Sequence, residues 1–179
     1  MQRIFLVSFF LYSFAVTADC IAEPDIQSIT AHQKELKAIN SVIESFRISI
    51  INKDKKRFSQ LFYNADIPWL GVFSQPSFES IQRRNPKANK VSSDNYLNFI
   101  DWIVSQEAII EEKLWNISIQ TDQYIASVHF DYSFHIGDYK SNWGQEAWHL
   151  IKTEQGWKIN SVIYTMITNQ QPPKKKADK

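Results

Sequence analysis

Gly144-Gln145-Glu146-Ala147-Trp148-His149-Leu150-Ile151-Lys152-Thr153, then Glu154-Gln155-Gly156, then Trp157-Lys158-Ile159-Asn160-Ser161-Val162 holds the clearest architectural signal in the chain. Large apolar side chains return at every second position, which is the period of a strand with one buried face. Gly156 closes a three-residue turn between the two runs. The second run continues to Thr168, and Leu114–Gln120 and Ile125–Ile136 precede the pair with the same period. Short turns at Thr121-Asp122 and Gly137-Asp138 join them. Strands joined this closely are antiparallel neighbours. The last third of the chain therefore reads as a four-stranded meander.

Pairing these strands gives an expected register. A two-residue turn at Asp122-Gln123 sets Ile119 opposite Ala126, Ile117 opposite Val128 and Trp115 opposite Phe130. A loop centred on Lys140 sets Tyr132 opposite Trp148, Phe130 opposite Leu150 and Asp131 opposite His149. The last turn sets Leu150 beside Asn160, Trp148 beside Val162 and Glu146 beside Tyr164. One face then carries Trp115, Ile117, Ile119, Val128, Phe130 and Tyr132, continued by Phe134, Trp148, Leu150, Val162, Tyr164 and Met166. The other carries Asn116, Ser118, Ser127, His129, Asp131 and Ser133, with His149, Ser161, Ile151, Ile159 and Ile163. A slip of one residue would exchange the faces. The first face needs helices to cover it. The second is half apolar, and a subunit contact would explain it.

Upstream, Leu36, Ile39, Ile43, Phe46 and Ile50 recur at helical spacing within Ile26 to about Asn52, with Lys34, Glu35, Lys37, Glu44 and Arg47 on the other faces. A short second helix carries Phe58, Leu61 and Phe62. Tyr63-Asn64-Ala65-Asp66 is a turn, and Ile67–Phe73 a short strand in which Pro68 marks an edge or a start. Gln75–Lys90, punctuated by Pro76, Asn85, Pro86 and Asn89, reads as a hairpin partner and a mobile loop. Ser92-Ser93-Asp94 offers a cap to a third helix with Tyr96, Phe99, Ile100, Ile103 and Val104 on its apolar side.

The chain has 179 residues, which suits one domain able to bury its own core. With Lys+Arg 20 against Asp+Glu 19, nucleic acid is not the expected partner. One Cys excludes an internal disulfide and a Cys-rich zinc site, and four Gly argue against glycine-rich phosphate loops. No cofactor signature occurs, so none is expected.

Residues 1–18 have the form of a secretory signal: Arg3, the apolar run Ile4–Val16 and Val16-Thr17-Ala18 before a cut. Ala22 offers a second cut. The run is shorter than the roughly 20 residues of a spanning helix, although an uncleaved anchor is the alternative. Asp19 before Cys20 argues against a lipoprotein. The expected organisation is a signal over 1–18, a lead-in over 19–35, one domain over 36–168 and a disordered basic tail over 169–179. The protein is expected in the periplasm or outside the cell, with no membrane span after cleavage.

The order of helix, helix, short strands, helix and meander, with Gly144–Thr153 and Gly156-Trp157-Lys158-Ile159 closing it, resembles the nuclear transport factor 2-like superfamily. That group includes SnoaL-like cyclases, ketosteroid isomerases and scytalone dehydratase. The resemblance covers about Ile39 to Ile167. It implies an α+β, cystatin-like cone of order α-α-β-β-α-β-β-β-β, in which a curved antiparallel sheet wraps three N-terminal helices and leaves a cavity. It also implies a homodimer through the sheet face. The superfamily hosts enzymes, binders and scaffolds, so the fold does not choose among them.

The isomerase branch places its base just before a Pro-Val-Gly stretch. Here Ile67 precedes Pro68-Trp69-Leu70-Gly71, and Asp66 lies one residue earlier. The first helix offers Phe46 and Ser45 where that branch has a Tyr. Asp131, the sheet acid, falls on the outer face with His149 and His129, where the three form a hydrogen-bonded set, a weak catalytic group or a weak metal site. Trp69, Tyr96, Tyr132, Trp148 and Tyr164 are expected to line a pocket for a small apolar or aromatic ligand, or else to be core. The leading expectation is an exported small-ligand-binding or interaction module without catalysis. The alternatives are a SnoaL-like isomerase, cyclase or dehydratase acting on a small carbonyl compound, and a scaffold with a filled cone.

Overall fold

A computed structural model describes residues 26–171. The proposed signal, both cleavage positions, Cys20 and Pro172–Lys179 of the tail lie outside the described residues. Ten elements follow in order: α1 (Ile26–Ile51), α2 (Lys55–Ser59), β1 (Trp69–Phe73), α3 (Gln75–Arg84), β2 (Val91–Ser93), α4 (Tyr96–Ser105), β3 (Ile110–Thr121), β4 (Ile125–Ile136), β5 (Tyr139–Thr153) and β6 (Gly156–Thr168). The strands form one open sheet in the order β2-β1-β6-β5-β4-β3. The fold is α+β, with the helices packed into a curved sheet.

The amphipathic stripe of α1 lies where its period requires. Ile39, Ile43, Phe46 and Ile50 are buried, and Phe46 meets Trp148 of β5 with ring centroids 4.8 Å apart. Asp54 caps α2 by accepting the Arg57 N–H at 2.9 Å. Phe58 and Phe62 join the same core. Glu35 is buried in the wall of α1. It accepts Trp157 Nε1 at 2.8 Å and Lys152 Nζ at 2.5 Å, tying the first helix to the last hairpin. The Lys152 hydrogen bond, followed by that from Trp157, holds its carboxyl below the ordinary range.

Several local expectations need correction. Gln75–Arg84 is a helix, not a hairpin partner and loop, because Pro76 sits in its first turn, where a missing N–H costs nothing. Asn95, not Ser92-Ser93-Asp94, caps α4, accepting the Asn98 N–H at 2.8 Å, while Ser92 and Ser93 belong to β2. The sheet is mixed: β1 runs parallel to β6 and antiparallel to β2. Of the two places expected for Pro68, the structure has the start: β1 begins at the next residue, Trp69, and lies inside the sheet. Gly71 is needed there, since a Cβ would lie 2.7 Å from the Tyr164 ring.

The meander carries irregularities that alternation alone does not reveal. Asn116 adopts φ 54°, and the β3–β4 register shifts between Trp115 and Ser118. Beyond this bulge the phase of β3 reverses. Trp115 and Ile117, expected inside, are 43% and 41% exposed, while Ile110 and Glu112 turn inward. Nearer the turn, Ile119 faces Val128, because the β3–β4 connection is longer than two residues. The β4–β5 turn is tight, Ile136 pairing with Tyr139, so Trp148 faces Val128, Phe130 faces Glu146 and Asp131 faces Gln145. Between β5 and β6, Trp148–Val162 and Glu146–Tyr164 pair as expected. A shift after His149 sets Leu150 against Ile159 instead of Asn160, which moves Ile159 from the outer face into the core. Bulges of this kind bend and twist a sheet, and here they accompany the curvature that makes the cone hollow. Asn169–Gln171 are held to β5: the Asn169 N–H donates to Ser141 O at 2.8 Å, and the Tyr139 hydroxyl donates to Gln171 O at 2.9 Å.

Candidate functional site: an aromatic cavity over a buried acid pair

A cavity of about 300 Å3 opens between α4 and the concave face of the sheet. Its size falls at the lower end of small-molecule sites. Aromatic rings form a belt around it. Trp102 and Phe134 lie 6.0 Å apart, Phe134 and Phe99 5.9 Å, Phe99 and Trp69 5.4 Å. The belt continues through Trp69–Tyr164 at 6.5 Å and Tyr164–Tyr132 at 6.2 Å. Such spacings are those of favourable tilted and edge contacts. Trp102, Ile136, Ser141 and Met166 are at least partly exposed and form the rim. Trp69, Glu112, Tyr132 and Glu146 are buried and form the floor.

The floor is where the chemistry lies. Glu112 comes from β3, turned inward beyond the Asn116 bulge, and Glu146 comes from β5 in phase with Trp148. The two carboxyl groups are hydrogen-bonded to each other, and the Trp148 indole Nε1 donates to Glu146 Oε1 at 2.5 Å. Burial raises both acids. For Glu112 the charge of Glu146 and the hydrogen bond between them raise it further, well above the ordinary carboxyl range. For Glu146 burial lifts the pKa to about 7, against the lowering influence of the Trp148 N–H and of Glu112. Two carboxylates this close cannot both ionise cheaply. Glu112 therefore holds the shared proton and Glu146 accepts it.

Two phenols complete the floor. The Tyr132 hydroxyl donates to Thr165 O at 2.9 Å and lies 3.1 Å from Asn142 Oδ1. Tyr164 receives the Trp69 indole N–H, and burial, followed by the charge of Glu146, pushes it up to about 12. Tyr132 is raised further by the same two causes in the same order. Both phenols stay protonated at neutral pH. Among the described residues, no Lys, Arg or His lines the cavity.

Of the residues expected to form a pocket, Trp69, Tyr132 and Tyr164 line this cavity. Tyr96 does not; it stacks on Phe62 at 4.0 Å in the core. Trp148 lies beneath the floor, between Phe46 and Phe130, and reaches the site only through its N–H to Glu146. Asp66 is exposed in its turn. Asp131 is on the outer face, held low by Asn116 Nδ2 at 2.6 Å and then by Gln145 Nε2 at 3.2 Å. It does not meet His149, which pairs with Ser127 and contacts Ser161 Oγ at 3.0 Å. His129 is exposed beside Asp131. Among the described residues, no three His, Cys, Asp or Glu side chains form a group able to hold a metal ion.

The sequence reading missed Glu112 and Glu146. Glu146 could have been found, since it shares the inward phase of Trp148 and Leu150. Glu112 could not: the charges of Glu111-Glu112-Lys113 hide the start of β3, and the bulge reverses its phase.

No protein-family model matches the sequence, and no curated protein matches it. Solved structures do match in shape. A protein of Novosphingobium aromaticivorans described as a candidate scytalone dehydratase aligns at a TM-score of 0.59 and 14% identity, over 84% of this chain and 99% of its own. A nuclear transport factor 2-like protein with a cystatin-like fold from the same species aligns at 0.58 and 10% identity, over 82% and 92%. A nuclear transport factor 2-like protein of unknown function from Shewanella baltica aligns at 0.53 and 17% identity, over 77% and 98%. The fold is thus the nuclear transport factor 2-like cone, and identities this low speak to fold alone.

Proposed function

We propose that this cone binds a small, largely apolar or aromatic molecule, and that Glu112 and Glu146 hold its polar end. The observation that carries the reading is a buried, hydrogen-bonded acid pair at the floor of a largely aromatic cavity of about 300 Å3. Burying two carboxyls is costly unless they are used or fully paired. An open cavity also argues against a filled scaffold. Titration of 15N-labelled protein with small aromatic fragments tests this. The indole N–H signals of Trp69 and Trp102 are expected to shift together and saturate. Fragments that move only outer-face signals would overturn the reading.

A second reading is catalytic. A carboxyl held near pH 7 beside a proton-bearing partner is the equipment of general acid–base chemistry. Such a pair would move a proton next to a carbonyl, as an isomerase or dehydratase does. Phe46 and Ser45, at the place of the isomerase-branch Tyr, lie outside the cavity, which favours plain binding. Deuterium exchange beside the carbonyl of small cyclic ketones separates the two: catalysis gives exchange that the E146Q variant loses, and binding alone gives none.

Residues 1–18 support a secreted or periplasmic protein, and N-terminal sequencing of the exported chain would show Asp19 or Glu23 first. The outer sheet face supports a homodimer.

A further inference from the structure

The cavity is electronegative on every side that carries charge. Its floor holds two carboxyl groups sharing one proton, and most of its wall is aromatic rings, completed by Ile136, Ser141, Asn142 and Met166. The described residues bring no cationic side chain to it. From β3 comes Glu112, from β5 Glu146, from β4 Tyr132 and from β6 Tyr164. The cavity residues of α4 and β1, Phe99, Trp102 and Trp69, do not titrate. Asp94, near Tyr164, adds another negative charge. Among the described residues, the donor that faces the ionised pair is the neutral Trp148 N–H, 2.5 Å from Glu146. A buried anion without a counter-charge favours a cation that can reach it. Aromatic rings around a cation add attraction of their own.

Resting on the binding reading above, we propose that the natural occupant of the cavity is a small organic ammonium ion, its apolar body against the aromatic belt and its N–H groups on the Glu112–Glu146 pair. The ammonium donates to the ionised Glu146 while Glu112 keeps the shared proton, and below pH 7 it displaces the proton that Glu146 itself carries. No bond is made or broken beyond release of that proton to solvent. A neutral ligand gains no such exchange, and a carboxylate is repelled.

Calorimetric titration of the full mature chain with 2-phenylethylamine, 2-phenylethanol and 3-phenylpropanoate tests the proposal. Each is run between pH 5.5 and 8 in two buffers with different heats of ionisation. The amine is expected to bind most tightly. Below pH 7 its binding should release up to one proton and weaken by about tenfold per unit of acidification, the slope of a single linked proton. The alcohol should bind more weakly with little pH dependence, and the carboxylate weakest. E146Q should weaken the amine at least tenfold and by a clearly larger factor than it weakens the alcohol, and E112Q serves if E146Q does not fold. Amine binding that is no tighter than alcohol binding, or that takes up no part in proton release, overturns the ammonium assignment while leaving the binding reading standing. Failure of all three probes to bind would overturn both.

Discussion

At the scale of the residue, Glu146 is the group on which most depends. Its folded pKa of about 7 stands above the ordinary 4.5. Between those values the folded chain keeps a proton that the unfolded chain has lost. The stability this group contributes is therefore greatest at the acid end and declines as pH rises toward 7. Glu112, raised well above the ordinary carboxyl range by burial and by Glu146, acts in the same direction. We expect the melting temperature of the wild type to fall relative to that of E146Q as pH goes from 5 to 7.5, by differential scanning calorimetry. A difference between the two that stays constant with pH would contradict the acid pair. Glu35 and Asp131 act oppositely. Their folded pKa values are lowered, so their contribution is lost only as pH falls below the ordinary carboxyl range, outside the window of this experiment.

At the scale of the element, the bulge at Asn116 matters most, because the inward half of β3 begins there. Asn tolerates a left-handed backbone, and a β-branched residue does not. Asn116→Val should cost about 1–3 kcal/mol, read by urea denaturation, whereas Asn116→Gly should cost less although it loses the hydrogen bond to Asp131. Equal stability of wild type and N116V would show that the strand runs straight. The same bulge marks the limit of what the sequence could tell. Helix α1, the meander and the Trp148–Val162 register were legible, because period and turn length determine them. Pro76 was read as a breaker although it begins a helix, since proline serves both purposes. Trp115 and Ile117 were placed inside because alternation carries no sign of an inserted residue. Tyr96 and Trp148 carry the same two readings as Trp69, pocket wall or core, because core and cavity aromatics look alike in sequence, and the structure places them in the core.

At the scale of the whole molecule, the outer face of the sheet remains to be accounted for. Trp115 and Ile117 flank it on β3 and Ile163 and Ile167 on β6, all of them exposed. His129, Asp131 and Gln145 lie between them on the intervening strands. An apolar–polar–apolar band suits pairing with a second copy of itself. Light scattering should find a dimer at micromolar concentration and a monomer for Ile163→Glu with little change in melting temperature. A monomeric wild type would leave this face without the role assigned to it. No helix among the described residues is long and apolar enough to cross a membrane.

The claim that unites these scales is a hollow cone with two hydrogen-bonded acids at its floor. A crystal structure of the mature protein grown with 2-phenylethylamine at pH 8 tests it most directly. The account predicts the ring of the amine among Trp69, Phe99 and Trp102, and its nitrogen within hydrogen-bond distance of Glu112 or Glu146. A cavity closed by its own side chains, or acids turned apart with the amine elsewhere, would contradict it.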